Sequence, residues 1–60
     1  MVWVVEVEDN EGRRAIKEYE APSFNELVMQ VDRELRPYKN IRLSGCWHKG
    51  EPERRFKRRN

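Results

Sequence analysis

Apolar side chains recur at every second position from Val2 to Glu8, in a run rich in β-branched and aromatic types, which predicts a first strand over residues 2–8. Asp9-Asn10-Glu11-Gly12 interrupts it with Asp at the first turn position and Gly at the fourth. That order suits a type I turn whose glycine adopts the left-handed conformation and forms a G1 bulge. Residues 13–21 then return as a second strand. Counting back from the bulge sets Asp9 opposite Arg13, Glu8 opposite Arg14 and Trp3 opposite Tyr19. Opposite charges and paired aromatics favour that register, and a slip of one residue would exchange the two faces.

The period changes after Pro22. Ser23-Phe24-Asn25-Glu26 has the form of a capping box, the serine hydroxyl accepting from the Glu26 amide. Phe24, Leu27, Val28, Val31 and Leu35 follow at helical spacing as one apolar stripe. Asp32 and Arg36 stand four apart on the wet side, and Pro37 ends the helix because it lacks an amide hydrogen. Ile41 to Trp47 alternates again as a third strand, with Gly45 marking a bulge or bend.

Strand, strand, helix, strand predicts an α+β fold of ββαβ order. Its three-stranded antiparallel sheet has strand order 2-1-3, with a right-handed crossover and the helix on one face. The helix is expected to cover Trp3, Val5, Val7, Ala15, Tyr19, Ile41, Leu43 and Trp47. The opposite face is expected to show Val2, Val4, Ile16, Arg42, Ser44, Cys46 and His48, with strands 2 and 3 as free edges. Residues 1–48 read as the domain and 49–60 as a basic C-terminal tail, joined through a linker at 49–53.

Charge changes this picture most. The chain has 13 Lys and Arg against 11 Asp and Glu. Five of the cations lie in Arg54-Arg55-Phe56-Lys57-Arg58-Arg59, leaving 8 against 11 acids over residues 1–53, a formal −3. Such a block resists burial because its charges repel and keep their hydration, so it reads as a device for holding a polyanion or an acidic surface. Sixty residues are near the lower limit for a single self-supporting domain. The lone Cys46 excludes an internal disulfide and suits a reducing, cytoplasmic setting. The opening apolar run is too short to span a membrane or serve as a signal peptide.

The layout from Val2 to about Trp47 resembles a very small podoviral inhibitor of host RNA polymerase. The shared features are an aromatic-led first strand, an acidic turn and a second strand ending in Glu20-Ala21-Pro22. Ser23-Phe24-Asn25-Glu26-Leu27 at the helix start, Tyr38 after the helix and a short last strand continue the likeness. The resemblance implies a three-stranded sheet with one helix and a phage-type host-takeover protein that acts by occupying a surface. That family uses a run of carboxylates with arginines near the last strand. Here Glu26 and Glu34 form no comparable run and Arg42 is the one arginine in strand 3, so no inhibitory residue carries over. The same plan also suits a ribosomal or ribosome-associated protein.

No constellation points to catalysis. Cys46 and His48 share a strand face but lack an orienting third group, and zinc would need two further ligands, so neither a metal nor a cofactor is expected. The pairs Glu6/Glu8 and Glu18/Glu20 read as a solvated sheet surface balanced by Arg14 and Lys17. Trp3, Tyr19, Phe24 and Trp47 read as core aromatics gathered at one end, with Trp47 the most exposed. The residues expected to bind a partner are Arg54, Arg55, Phe56, Lys57, Arg58 and Arg59, joined by Arg42, Trp47 and His48. Val2, Val4 and Ile16 are a candidate interface for a second copy or for a different protein. The functional expectation is a small non-enzymatic accessory or regulatory protein, phage-like and inhibitor-like, binding a host protein of the nucleic-acid machinery. The alternatives are direct RNA or DNA binding within a ribonucleoprotein and a homodimeric assembly subunit.

Overall fold

The computed structural model describes residues 1–56, and Lys57, Arg58, Arg59 and Asn60 lie outside the described residues. Strand β1 spans Val2–Asp9, β2 Arg14–Glu20, helix α1 Phe24–Leu35 and β3 Ile41–His48. The sheet is antiparallel in the order β2-β1-β3, as the element order predicts.

The hairpin forms for the reasons the turn residues give. Gly12 has φ 82°, the left-handed conformation that costs glycine no Cβ clash. Its amide donates to the Asp9 carbonyl at 3.1 Å, and the Asp9 carboxylate accepts from the Glu11 and Arg13 amides at 2.9 Å each. The register then places Glu8 opposite Arg14 and Trp3 opposite Tyr19.

The helix starts where its cap predicts: Ser23 Oγ accepts from the Glu26 amide at 3.3 Å. Asp32 pairs with Arg36 at 2.9 Å on the solvent side. Leu27 and Val31 are buried against Trp3, Val5, Val7, Tyr19, Ala21 and Cys46, with Leu35, Ile41 and Leu43 packed at the margin. Phe24 and Val28, expected in the same stripe, stay substantially exposed because they sit at its edge.

Strand β3 departs from the expected phase. Val7 pairs with Leu43 but Glu6 pairs with Gly45, so β3 has one extra residue, a bulge at Ser44 and Gly45. Beyond the bulge every side chain changes face. Cys46 lies opposite Val5 in the core and His48 opposite Trp3, whereas Trp47 lies opposite Val4 on the face away from the helix. The expected placement of Trp47 under the helix, and of Cys46 and His48 on the open face, is thereby corrected. Ile41 and Leu43 precede the bulge and keep theirs.

The outer edge of β3, expected to be free, is covered along part of its length. Gly50, at φ 91°, turns the chain, and the Glu51 amide donates to the His48 carbonyl at 3.0 Å. The returning segment then lies antiparallel against β3. The Cys46 amide donates to the Arg54 carbonyl at 3.1 Å, the Phe56 amide donates to the Ser44 carbonyl at 2.8 Å, and Gly45 bridges to Arg55. Residues 49–53, expected to be a linker, form the turn that brings this short strap back.

Gly45 is what permits the approach. A Cβ there would lie 2.8 Å from the Arg54 carbonyl oxygen and 3.1 Å from the Arg55 Cα. Only a residue without that carbon lets the strap come so close.

Candidate functional site

Because the strap is extended, its side chains alternate. Arg55 points to the open face of the sheet, while Arg54 and Phe56 help line a cleft on the other side. The two sides have different chemistry.

On the open face, Arg55 Nε donates to Glu6 at 2.8 Å, and its terminal nitrogen also pairs with Glu53. Its guanidinium carbon lies 5.5 Å from the Trp47 ring centroid, a cation–π contact that covers the indole. Trp47 is accordingly buried, against the expectation that it would be the exposed aromatic. Ser44 donates its hydroxyl to the other oxygen of Glu6 at 2.8 Å. Arg42 and Arg14 bond the two oxygens of Glu8 at 2.7 and 3.2 Å.

Glu6 is 2% exposed and Glu8 5%, so the solvated carboxylate surface expected there is instead a buried pair beneath an arginine layer. Lys17 takes no part, since it faces the helix side and bonds Glu34 at 2.8 Å. Burial pushes the Glu6 carboxyl upward. The Ser44 and Arg55 bonds, with the charges of Arg55 and Arg14, outweigh that and hold it below its ordinary 4.5.

Arg55 and Arg42, both expected to meet a partner, are therefore committed to the protein's own carboxylates. The same face carries Val2, Val4 and Ile16, with Ile16 53% exposed and Val4 half-buried. Ion pairs bracket these residues, Met1 with Glu20 at 2.6 Å and Lys49 with Glu18 at 3.2 Å.

On the other side is a cleft of about 350 Å³ lined by Trp3, Phe24, Cys46, Trp47, His48, Glu51, Pro52, Arg54 and Phe56. The Trp3 and His48 rings lie 3.9 Å apart at 37°, and Phe24 lies 6.0 Å from Trp3. Trp3 is anchored through its indole N–H, which donates to the Ala21 carbonyl at 3.1 Å. Phe24 and Phe56 are each 47% exposed, so both rings keep a face in solvent. Arg54 enters none of the ion pairs among the described residues.

Three of the residues singled out from sequence, His48, Arg54 and Phe56, thus converge on one cleft, which Trp47 borders while its ring lies under Arg55. Lys57, Arg58 and Arg59 lie outside the described residues. Two walls, Trp3 and Phe24, read from sequence as core aromatics. The one available signal was the position of Phe24 directly after the cap, at the open end of the stripe.

The cleft's reactive groups are quiet. Burial pushes the Cys46 thiol up, only partly offset by the charge of Arg54, so the sulfur stays protonated at neutral pH. His48 Nδ1 is buried with no hydrogen-bond partner among the described residues. Among the described residues, no three His, Cys, Asp or Glu are grouped to hold a metal ion and no helix is long and apolar enough to cross a membrane. Comparison with protein-family models, curated protein sequences and solved structures finds no match to this chain.

Proposed function

We propose that this protein is a small, non-enzymatic accessory protein that attaches to an anionic macromolecule of the nucleic-acid machinery through its C-terminal end. The observation that carries this reading is the sorting of cations along the strap. Arg55 is spent on Glu6 and fastens the segment to the sheet. Arg54, beside it, has no ion-pair partner among the described residues and stands at the rim of an aromatic-walled cleft. The residues that follow, Lys57, Arg58 and Arg59, continue the same cationic run. Anchoring the start of a charged segment reduces the entropy lost when the rest engages a partner. The buried Cys46 thiol, held protonated, and the unpartnered Nδ1 of His48 among the described residues support binding over catalysis. The resemblance of the sequence layout to podoviral polymerase inhibitors supports a phage-like, host-directed role acting by surface occupation.

The test is retention of the full chain on immobilised RNA, DNA and polyglutamate at low ionic strength. The expected result is retention on at least one of them, weakening steeply as salt rises. The triple variant Arg54→Glu, Arg58→Glu, Arg59→Glu, which spares the Arg55 anchor, is expected to lose it. Absence of retention on all three by the intact chain would remove the reading.

A further inference from the structure

Resting on that reading, we infer that the cleft between Phe24, His48 and Phe56 receives an unstacked base of single-stranded nucleic acid, with Arg54 on the adjoining phosphate. Three observations point to this occupant. The first is shape. At about 350 Å³ the cleft is at the small end of ligand-sized pockets, suited to one planar ring with its sugar.

The second is the nature of the walls. Phe24 and Phe56 come from the helix start and the strap, each about half exposed, and the tilted Trp3–His48 pair lines the same cleft. Aromatic faces of this kind accept any base, because every base has a π surface.

The third is charge. Over residues 51–59 the chain has Glu51 and Glu53 against Arg54, Arg55, Lys57, Arg58 and Arg59, a formal +3. Within the described strap, Arg54 and Phe56 stand two residues apart and both line the cleft, so one guanidinium and one ring are set side by side as a phosphate and its base are along a single strand. An acidic peptide would satisfy the cations but offers no planar ring beside each charge. A duplex would keep its bases stacked and out of reach of the cleft. Glu51 also lines the cleft, and its carboxylate would repel a phosphate but accept hydrogen bonds from the N–H groups of a base.

The experiment measures binding of the intact protein to a fluorescently labelled oligouridine by anisotropy. An abasic oligomer of equal length, a duplex and a polyglutamate peptide serve as comparators. Oligouridine is expected to bind more tightly than the abasic strand. Phe24→Ala and Phe56→Ala are each expected to weaken oligouridine about tenfold, the size of one lost stacking contact, and to leave the abasic strand unchanged. Phe56→Trp is expected to restore or strengthen binding. Ile16→Ala, on the opposite face, is expected to change nothing.

Equal affinity for oligouridine and the abasic strand, or indifference to both phenylalanine substitutions, overturns the base pocket and leaves the cationic attachment standing. Binding of polyglutamate alone does the same. Failure to bind any of the four ligands ends both.

Discussion

Replacing Arg55 by Ala should loosen the sheet and the strap together. The Arg55 Nε bond to Glu6 is 2.8 Å long and joins a guanidinium to a carboxylate that is 2% exposed. A hydrogen bond between charged groups contributes about 1.5–3 kcal/mol net. Stranding a fully buried charge would cost more, about 3–5 kcal/mol. Here the upper figure does not apply, for two reasons. The Arg55 side chain is itself 40% exposed, so its removal opens Glu6 to water, and Ser44 continues to donate to the carboxylate. A loss of about 2 kcal/mol follows, against a total of about 3–9 kcal/mol for a chain of this length. The melting temperature should fall by about 10 °C.

The assay is urea unfolding followed by tryptophan fluorescence, since Trp47 lies under Arg55 and Trp3 lies in the core. Glu6→Gln keeps the shape and isolates the charge. Because the folded-state pKa of Glu6 lies below its ordinary 4.5, its contribution is fully present above that value and fades as pH falls through the lowered one. Wild-type stability should therefore drop more steeply below pH 4.5 than that of Glu6→Gln. An Arg55→Ala unfolding free energy within about 0.5 kcal/mol of wild type would refute the reasoning, since the pair would then behave as an ordinary surface ion pair.

Two further substitutions probe the same architecture. Gly45→Ala should displace the strap, because the new carbon would meet backbone atoms at 2.8 and 3.1 Å rather than a yielding side chain. The expected cost is about 1–3 kcal/mol by denaturant unfolding, and a variant as stable as wild type would show that the strap does not approach so closely. On the open face, Val2, Val4 and Ile16 lie beside the ion pairs Met1–Glu20 and Lys49–Glu18. Light scattering should find a monomer that Ile16→Lys leaves unchanged, whereas a dimer broken by that substitution would make the face an interface between copies.

Local chemistry made the hairpin and the helix legible in advance. The Asp9–Gly12 turn determines its own register, and the Ser23 cap marks the first turn of α1, so neither depends on distant residues. Gly45 was legible as a bulge, yet alternation carried through it puts Trp47, Cys46 and His48 on the wrong faces, because one inserted residue inverts everything after it. The Glu6–Arg55 pair spans 49 positions. With 11 acids and 13 cations to combine, nothing local singles out that partnership before the fold brings them together. The burial of Glu6 and Glu8 is hidden for the same reason. A strand that alternates valine with glutamate reads as half solvated until a covering layer arrives from elsewhere in the chain.

The strap's seating on β3 is the premise on which the cleft, and so the binding surface, depends. Amide hydrogen exchange at Cys46 and Phe56 tests it most directly, because their N–H groups donate to the Arg54 and Ser44 carbonyls across the two segments. Both amides should exchange far more slowly than an open edge allows, and both should lose that protection in Arg55→Ala. Exchange at unprotected rates in the wild-type chain would mean that residues 54–56 do not rest on the sheet, and the cleft would lose one wall.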